Sequence, residues 1–330
     1  MTIHRDFRLT LLSAMVFLCV MLVGGCVKCP ECSKKEETGE AGSILLKIVA
    51  SPDKTNNPNW RVPPGFTVET SEGWDKETGC AIQIMHIKSG IVLRFVPAGE
   101  FDMGSRISAE EAEHRYGEED QGIEWHEQEH PLHKVKISRP FYIGVYEVTQ
   151  KQWAAIMGNS PSHFKGDNLP VETVSWDDTQ EFCRKAGDGL RLPTEAEWEY
   201  ACRAGTETRW YFGNDESTFG EYAWYRDNAG EKTHETGRKK PNAWRLYDMY
   251  GNVWEWCGDR YDRDYYNGWE NGVTDPPGPQ NEKYWYRVVR GGAWYVTPRY
   301  GRSANRVYSD PAGSNKTDGF RVAMPAGIVR

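Results

Sequence analysis

The residues best placed to do chemistry sit together in Leu246–Trp256 (LYDMYGNVWEW), where two carboxylates flank a glycine-asparagine pair among aromatic rings. Gly251-Asn252 is a turn signal, because glycine adopts positive φ freely and asparagine is the next best residue there. Such a turn aims successive carbonyls in one direction. Asp248 and Glu255 on either side would add charged oxygens, and an oxygen-only set suits a hard cation. Ca2+ accepts irregular geometry more readily than Mg2+. Trp254 and Trp256 alternate with Glu255 as on a strand that buries one face. The same residues also describe an aromatic hairpin whose carboxylates cap backbone amides. His126, His130 and His133, with Glu127 and Glu129 nearby, could be drawn as a second ligand cluster. In an acidic polar loop the plainer reading is solvated side chains without a metal. No GxSxG motif or P-loop occurs.

The elements that must hold these residues are short. The chain has 330 residues and an unusual aromatic load, 14 Trp, 17 Tyr and 11 Phe, with 33 Gly. That mixture suits a loop-rich fold whose large rings fill irregular gaps. Net charge is −8; removing residues 1–25, which carry Arg5, Asp6 and Arg8, leaves −9. Nothing forms the basic face that a phosphate backbone requires, so nucleic acid is excluded as the expected partner.

Arg5 and Arg8 precede an apolar run from Leu9 to Val23, followed by Gly24-Gly25-Cys26. A charged start, a short apolar stretch and a small-residue cleavage site make residues 1–25 a signal peptide. The run is too short for a transmembrane helix. The site resembles a bacterial lipoprotein signal, which implies cleavage before Cys26, lipid (palmitate among its acyl chains) on its thiol and an anchor in the cell envelope. Val27 in place of aspartate implies the outer membrane by the same resemblance. Residues 26–79 read as a polar tether and lead-in segment, with Cys29 and Cys32 suited to a small disulfide loop. Ser43–Ala50 could be a strand.

From residue 80 onward the pattern is denser. Ile91–Phe95 and Val135–Val148 read as strands, and 106–130 as an acidic solvated loop. Thr149 with Gln152, Ser175 with Asp178 and Thr194 with Glu197 each place a hydroxyl at an N-cap and a polar partner three residues on. Gly158, Gly187 and Gly205 stand where left-handed C-caps would end the three helices. Trp153, Ile156 and Met157, and then Trp198, Ala201 and Cys202, fall on helical stripes. Beyond Gly205 the reading is short strands and long loops.

The ordered segments then resemble a known family, the formylglycine-generating-enzyme (sulfatase-modifying factor) domain, over about residues 90–324. They run from Phe95–Gly104 through Tyr146–Thr149, Arg191–Ala201 and Leu246–Trp256 to Val289–Trp294, Arg302–Arg306 and Gly319–Val322. The resemblance implies an α+β, loop-rich, C-type-lectin-like fold with low regular secondary structure and few short helices, spanning 80–330. It implies a structural Ca2+ held by the side chains of Asp248 and Glu255 and the carbonyls of Gly251 and Val253. A second family calcium site at Asn228 and Ala229 is not carried over, because its partner loop looks shortened.

Oxidase members of that family carry two cysteines after the Gly-Gly pair, which hold Cu(I) as thiolates. Here Val296 and the Tyr300-Gly301 region take those places, and no cysteine follows Cys257. No catalytic residue is assigned and copper is not expected. Cys183 and Cys202 resemble disulfide-forming cysteines of some members, but Ser303 and Val322 stand where partners would be, so they are expected as buried thiols or an improvised pair. A scaffold without its nucleophile points to binding, and Tyr295, Arg299, Tyr300, Arg302 and Tyr308 are the candidate ligand contacts, Tyr and Arg being the residues that carry most binding energy. Tyr295–Asp318 also resembles the variable region of retroelement-diversified lectin-fold proteins. The expected ligand is a protein, peptide or glycan; the competing expectation is a formylglycine-type oxidase working through Cys257.

Overall fold

The computed structural model describes residues 62–68, 72–108, 110–111 and 126–327. The expected signal peptide, Cys26, Cys29, Cys32 and the strand at 43–50 lie outside them.

The apolar, β-branched runs pair into three small sheets. The largest contains β1 (Phe66–Val68), β2 (Gln83–His86), β3 (Val92–Val96), β6 (Phe141–Gly144) and β12 (Ala323–Pro325), in the order β1-β2-β3-β6-β12 and antiparallel throughout. β4 (Gly99–Met103) and β5 (His133–Ile137) form a second sheet with β8 (Val273–Thr274). The third has the order β10-β9-β7-β11, from β7 (Trp254–Arg260), β9 (Arg287–Arg290), β10 (Val307–Ser309) and β11 (Asp318–Gly319). Phe66–Val68, within the expected lead-in, pairs with Gln83–His86. Phe66 is buried in the main core, which a polar tether would not require.

The three expected helices form: α1 (Gln150–Met157), α2 (Trp176–Ala186) and α3 (Glu195–Arg203). Each starts with a complete capping box, in which the Ncap hydroxyl of Thr149, Ser175 or Thr194 accepts the N3 amide and the N3 side chain accepts the Ncap amide. The C-caps differ from expectation in two of three cases. Gly158 is left-handed, but Gly187 has ψ −151°, and Ala204 with φ 46° replaces Gly205 as the left-handed cap of α3. Past α3 the helical elements among the described residues are two short 3-10 turns, Glu216–Glu221 and Pro298–Gly301. The architecture is therefore mixed α+β with long loops held by two aromatic-rich cores.

α3 is buried along its whole length and lies between the second and third sheets, contacting β4, β5, β7 and β9. This places Trp198 and Glu199 beside β7 and β9, where the functional residues converge.

Candidate functional site

The Gly251-Asn252 turn forms with φ 77° and 57°, and Asp248 is also left-handed at φ 53°. A Cβ on Gly251 would lie 2.1 Å from the Trp224 carbonyl oxygen, so only glycine fits there. β7 does not bury one face only: Trp254, Glu255, Trp256 and Cys257 are all buried. Glu255 tolerates this because both its oxygens are engaged. The Arg321 guanidinium donates to Oε1 and Oε2 at 2.6 Å each, and the Trp198 indole donates to Oε2 at 2.7 Å. Arg321 also donates to the carbonyls of Gly144 and Tyr247 at 3.0 and 2.9 Å, tying β6, the turn and β7 together.

Asp248 is placed differently. Its Oδ2 accepts the Gly237 amide at 2.6 Å, while Oδ1 is buried without a hydrogen-bond partner. Burial pushes its carboxyl well above the ordinary range, against the pull of the Gly237 amide and Arg321. Glu147, which sequence reasoning quoted only as part of a motif, is fully buried alongside. It accepts the Asn252 side-chain amide at 2.8 Å and the Val253 amide at 3.3 Å, and burial next to Asp248 and Glu255 raises it strongly.

The residues present fit a hard cation in part. The orphaned Asp248 Oδ1 is an oxygen that a cation would satisfy, since a buried carboxylate oxygen without a partner costs several kcal/mol, about 2 to 7 for even a neutral polar group. Glu255 already accepts two hydrogen bonds from Arg321 and one from Trp198, which leaves about one of its four acceptor sites, on Oε1. Among the described residues no three His, Cys, Asp or Glu side chains converge as metal ligands, so an ion at Asp248 would draw on main-chain carbonyls such as Gly251 and Val253.

The histidine cluster is dispersed. His126-Glu127-Gln128-Glu129-His130 has the HExxH spacing of helical zinc sites, but the helix stops at Glu127 and 128–129 form a turn. His133 hydrogen-bonds the Pro131 carbonyl at 2.8 Å and packs on Tyr266 and Trp269. The end of the expected solvated loop is instead buried, with His126, Gln128 and Glu129 all below 3 % exposure. Burial opposes the charge on Glu129, but two 2.7 Å bonds from Arg302 hold its carboxyl down to about 2.

That pairing reassigns Arg302. It is 4 % exposed and paired with Glu129, so it braces the loop, while lining a separate cavity with Arg203 and Arg209. Arg306 is fully buried in the same way, forked onto Glu195 at 2.7 and 2.9 Å. Arg299 and Tyr300 are half-buried, with the guanidinium over the Tyr300 ring. Tyr295 and Tyr308 are 45 % and 40 % exposed. With Trp254 they line a groove of about 420 Å³ that runs beside β10 to Asp318. The Trp254 indole donates to the Tyr295 hydroxyl at 3.4 Å.

Val296 and the Tyr300-Gly301 region, which stand where the resemblance implies two thiols, carry none. Val296 is buried, and a Cβ on Gly301 would come within 2.7 Å of the Phe219 ring. Cys257 is fully buried, and burial pushes its thiol well above the usual range. Cys202 Sγ faces Ser303 Oγ at 3.9 Å, and Cys183 shares a core with Val322. All four described cysteines are free.

Comparison with known proteins extends these observations. Residues 89–326 match the model of the sulfatase-modifying factor enzyme 1-like domain. The chain is 38 % identical over 177 residues to the formylglycine-generating enzyme of Streptomyces coelicolor, covering 49 % of this chain and 54 % of that enzyme. It is 31 % identical over 236 residues to the chaperone protein LppX of Paenibacillus barcinonensis, covering 55 % of this chain and 79 % of that protein. Among solved structures it resembles Treponema denticola variable protein 1, with a TM-score of 0.61 and 31 % identity over 71 % of this chain and 95 % of that one.

Proposed function

The chain belongs to the sulfatase-modifying factor enzyme 1-like family, and from that premise we propose that it is a ligand-binding module rather than an oxidase. The observation that carries this reading is that no cysteine follows Cys257, Val296 and the Tyr300-Gly301 region standing where the resemblance implies thiols, in a domain with a groove rimmed by exposed Tyr295 and Tyr308. Rigid aromatic rims of this kind favour recognition of a protein, peptide or glycan. The similarity to a protein named as variable favours Tyr295–Asp318 as the segment that sets ligand choice.

Three further parts belong to the same reading. The signal-like residues 1–25 and Cys26 favour a lipid-anchored protein of the bacterial cell envelope, in the outer membrane. A structural Ca2+ would be held by Asp248 with the Gly251 and Val253 carbonyls, supplying positive charge to a region where Glu147 and Asp248 lack an arginine of their own. Glu255 would offer at most the remaining acceptor site of its Oε1, since Arg321 and Trp198 take the others.

Screening the purified protein on peptide and glycan arrays, with Tyr295→Ala and Tyr308→Ala as controls, tests the binding reading. A ligand lost in both variants supports it. Conversion of a sulfatase-derived cysteine peptide to an aldehyde, with tight anaerobic Cu(I) binding that Cys257→Ser abolishes, would replace it with the oxidase.

A further inference from the structure

The groove has a chemical bias of its own, which rests on the reading of that groove as a binding site. Its inner end is Asp318, 4 % exposed. Its carboxylate is held only by neutral donors: Asn315 Nδ2 at 2.9 Å and Ser309 Oγ at 3.4 Å on Oδ2, and Thr317 Oγ1 at 2.8 Å on Oδ1. Burial pushes this carboxyl up, against those three hydrogen bonds. Among the described residues no lysine or arginine pairs with it. The cation that lines the groove, Lys316, is directed at the Trp294 ring, 5.3 Å from its centroid.

Elsewhere the fold treats several buried carboxylates differently. Glu129, Glu195 and Glu255 are each forked by a buried arginine, and Glu199 meets both Arg203 and Arg290. Asp259, Glu147, Asp248 and Glu172 are buried without such a fork too, but none of them lines this groove. Asp318 stands apart because it lines an open groove, together with Trp254, Tyr295 and Tyr308 beside Val289, Val307 and Lys316. A cation entering there would find a carboxylate and aromatic side chains in one partly dry site, both groups that attract it.

The rim says more about the occupant. Tyr308 sits between Tyr261 and Tyr286 at 4.7 and 4.8 Å, and Trp285 and Tyr286 continue outward at 59 % and 45 % exposure. That surface extends well past a cavity of about 420 Å³, so it suits a macromolecular face rather than an isolated small amine. We infer that the groove holds an arginine or lysine side chain presented by a polypeptide partner, with Asp318 as its counter-charge.

The test uses the full chain labelled with 5-fluorotryptophan, the Trp254 resonance being assigned with Trp254→Phe. Nα-acetyl-arginine amide is titrated against its neutral isostere, Nα-acetyl-citrulline amide, and against methyl glucoside. The arginine probe should shift the Trp254 resonance saturably and the citrulline probe should bind at least about tenfold more weakly. Asp318→Asn, with an otherwise unchanged spectrum, should remove that preference. Equal shifts from arginine and citrulline would overturn the inference without any variant. A response to the glucoside alone would overturn it while leaving the groove as a binding site. Silence from every probe, together with array binding unaffected by Tyr295→Ala and Tyr308→Ala, would remove the groove reading as well.

Discussion

Arg321 and Glu255, 66 residues apart in sequence, form a fully buried two-point ion pair with both N–O distances at 2.6 Å. The pair joins the last strand region to β7 and, through the carbonyls of Gly144 and Tyr247, to β6 and the turn. Arg321→Met should therefore leave a buried carboxylate uncompensated and cost about 3 to 5 kcal/mol. Chemical denaturation would report this as a lower midpoint. A loss below about 1 kcal/mol would mean that the pair is not what ties these strands.

Cys202 and Ser303 face each other at 3.9 Å in the core. Ser303→Cys should form a disulfide with Cys202 under oxidising conditions, read as loss of two thiols by mass spectrometry. Closing a loop of this length stabilises by about 2 to 4 kcal/mol, less what is lost with the Ser303–Tyr250 hydrogen bond. Persistently free thiols would show that the two Cβ vectors diverge.

Two buried acids titrate in opposite senses. Burial, and then Glu195, push Asp259 up to about 8, so the folded state binds a proton that the unfolded state has released. Its contribution falls as pH rises from about 4 to 8, at up to about 1.4 kcal/mol per pH unit. Asp259→Asn should flatten that decline. Glu129 is held down to about 2, so its contribution is complete above about 4.5 and disappears as pH falls toward 2. Glu129→Gln should remove the acid-side slope in a denaturation series across pH.

Calcium should raise the melting midpoint by several degrees, because an ion bound only by the folded state stabilises it by mass action. Asp248→Ala, which removes the orphaned oxygen, should abolish the response, and Glu255 should retain its Arg321 contacts throughout. An identical midpoint with calcium and with chelator would end the case for a structural ion.

Much of this fold was legible because its signals are local. Thr149, Ser175 and Thr194 announce their helices through a partner three residues on, and Gly251-Asn252 announces its turn through backbone preference. That no cysteine follows Cys257 is likewise read directly from the chain. What escaped was pairing at long range. Nothing near Arg302 in sequence points to Glu129, 173 residues earlier, so an interior brace read as a binding residue. Glu147 was hidden for the same reason, as its partners Asn252 and Val253 lie about a hundred residues on. Trp254 and Glu255 alternate as expected, but both faces of β7 are covered, a fact that belongs to α3 and Arg321 rather than to the strand. The cap at Ala204 shows a left-handed residue without glycine, held where α3 packs along its whole length.

The buried arginines at 302, 306 and 321 punctuate the C-terminal stretch like rivets along a seam. Tyr308, 40 % exposed between the second and third rivets, lies outside those buried ion pairs. A change at that rim should therefore leave each of the three arginines with its carboxylate partner.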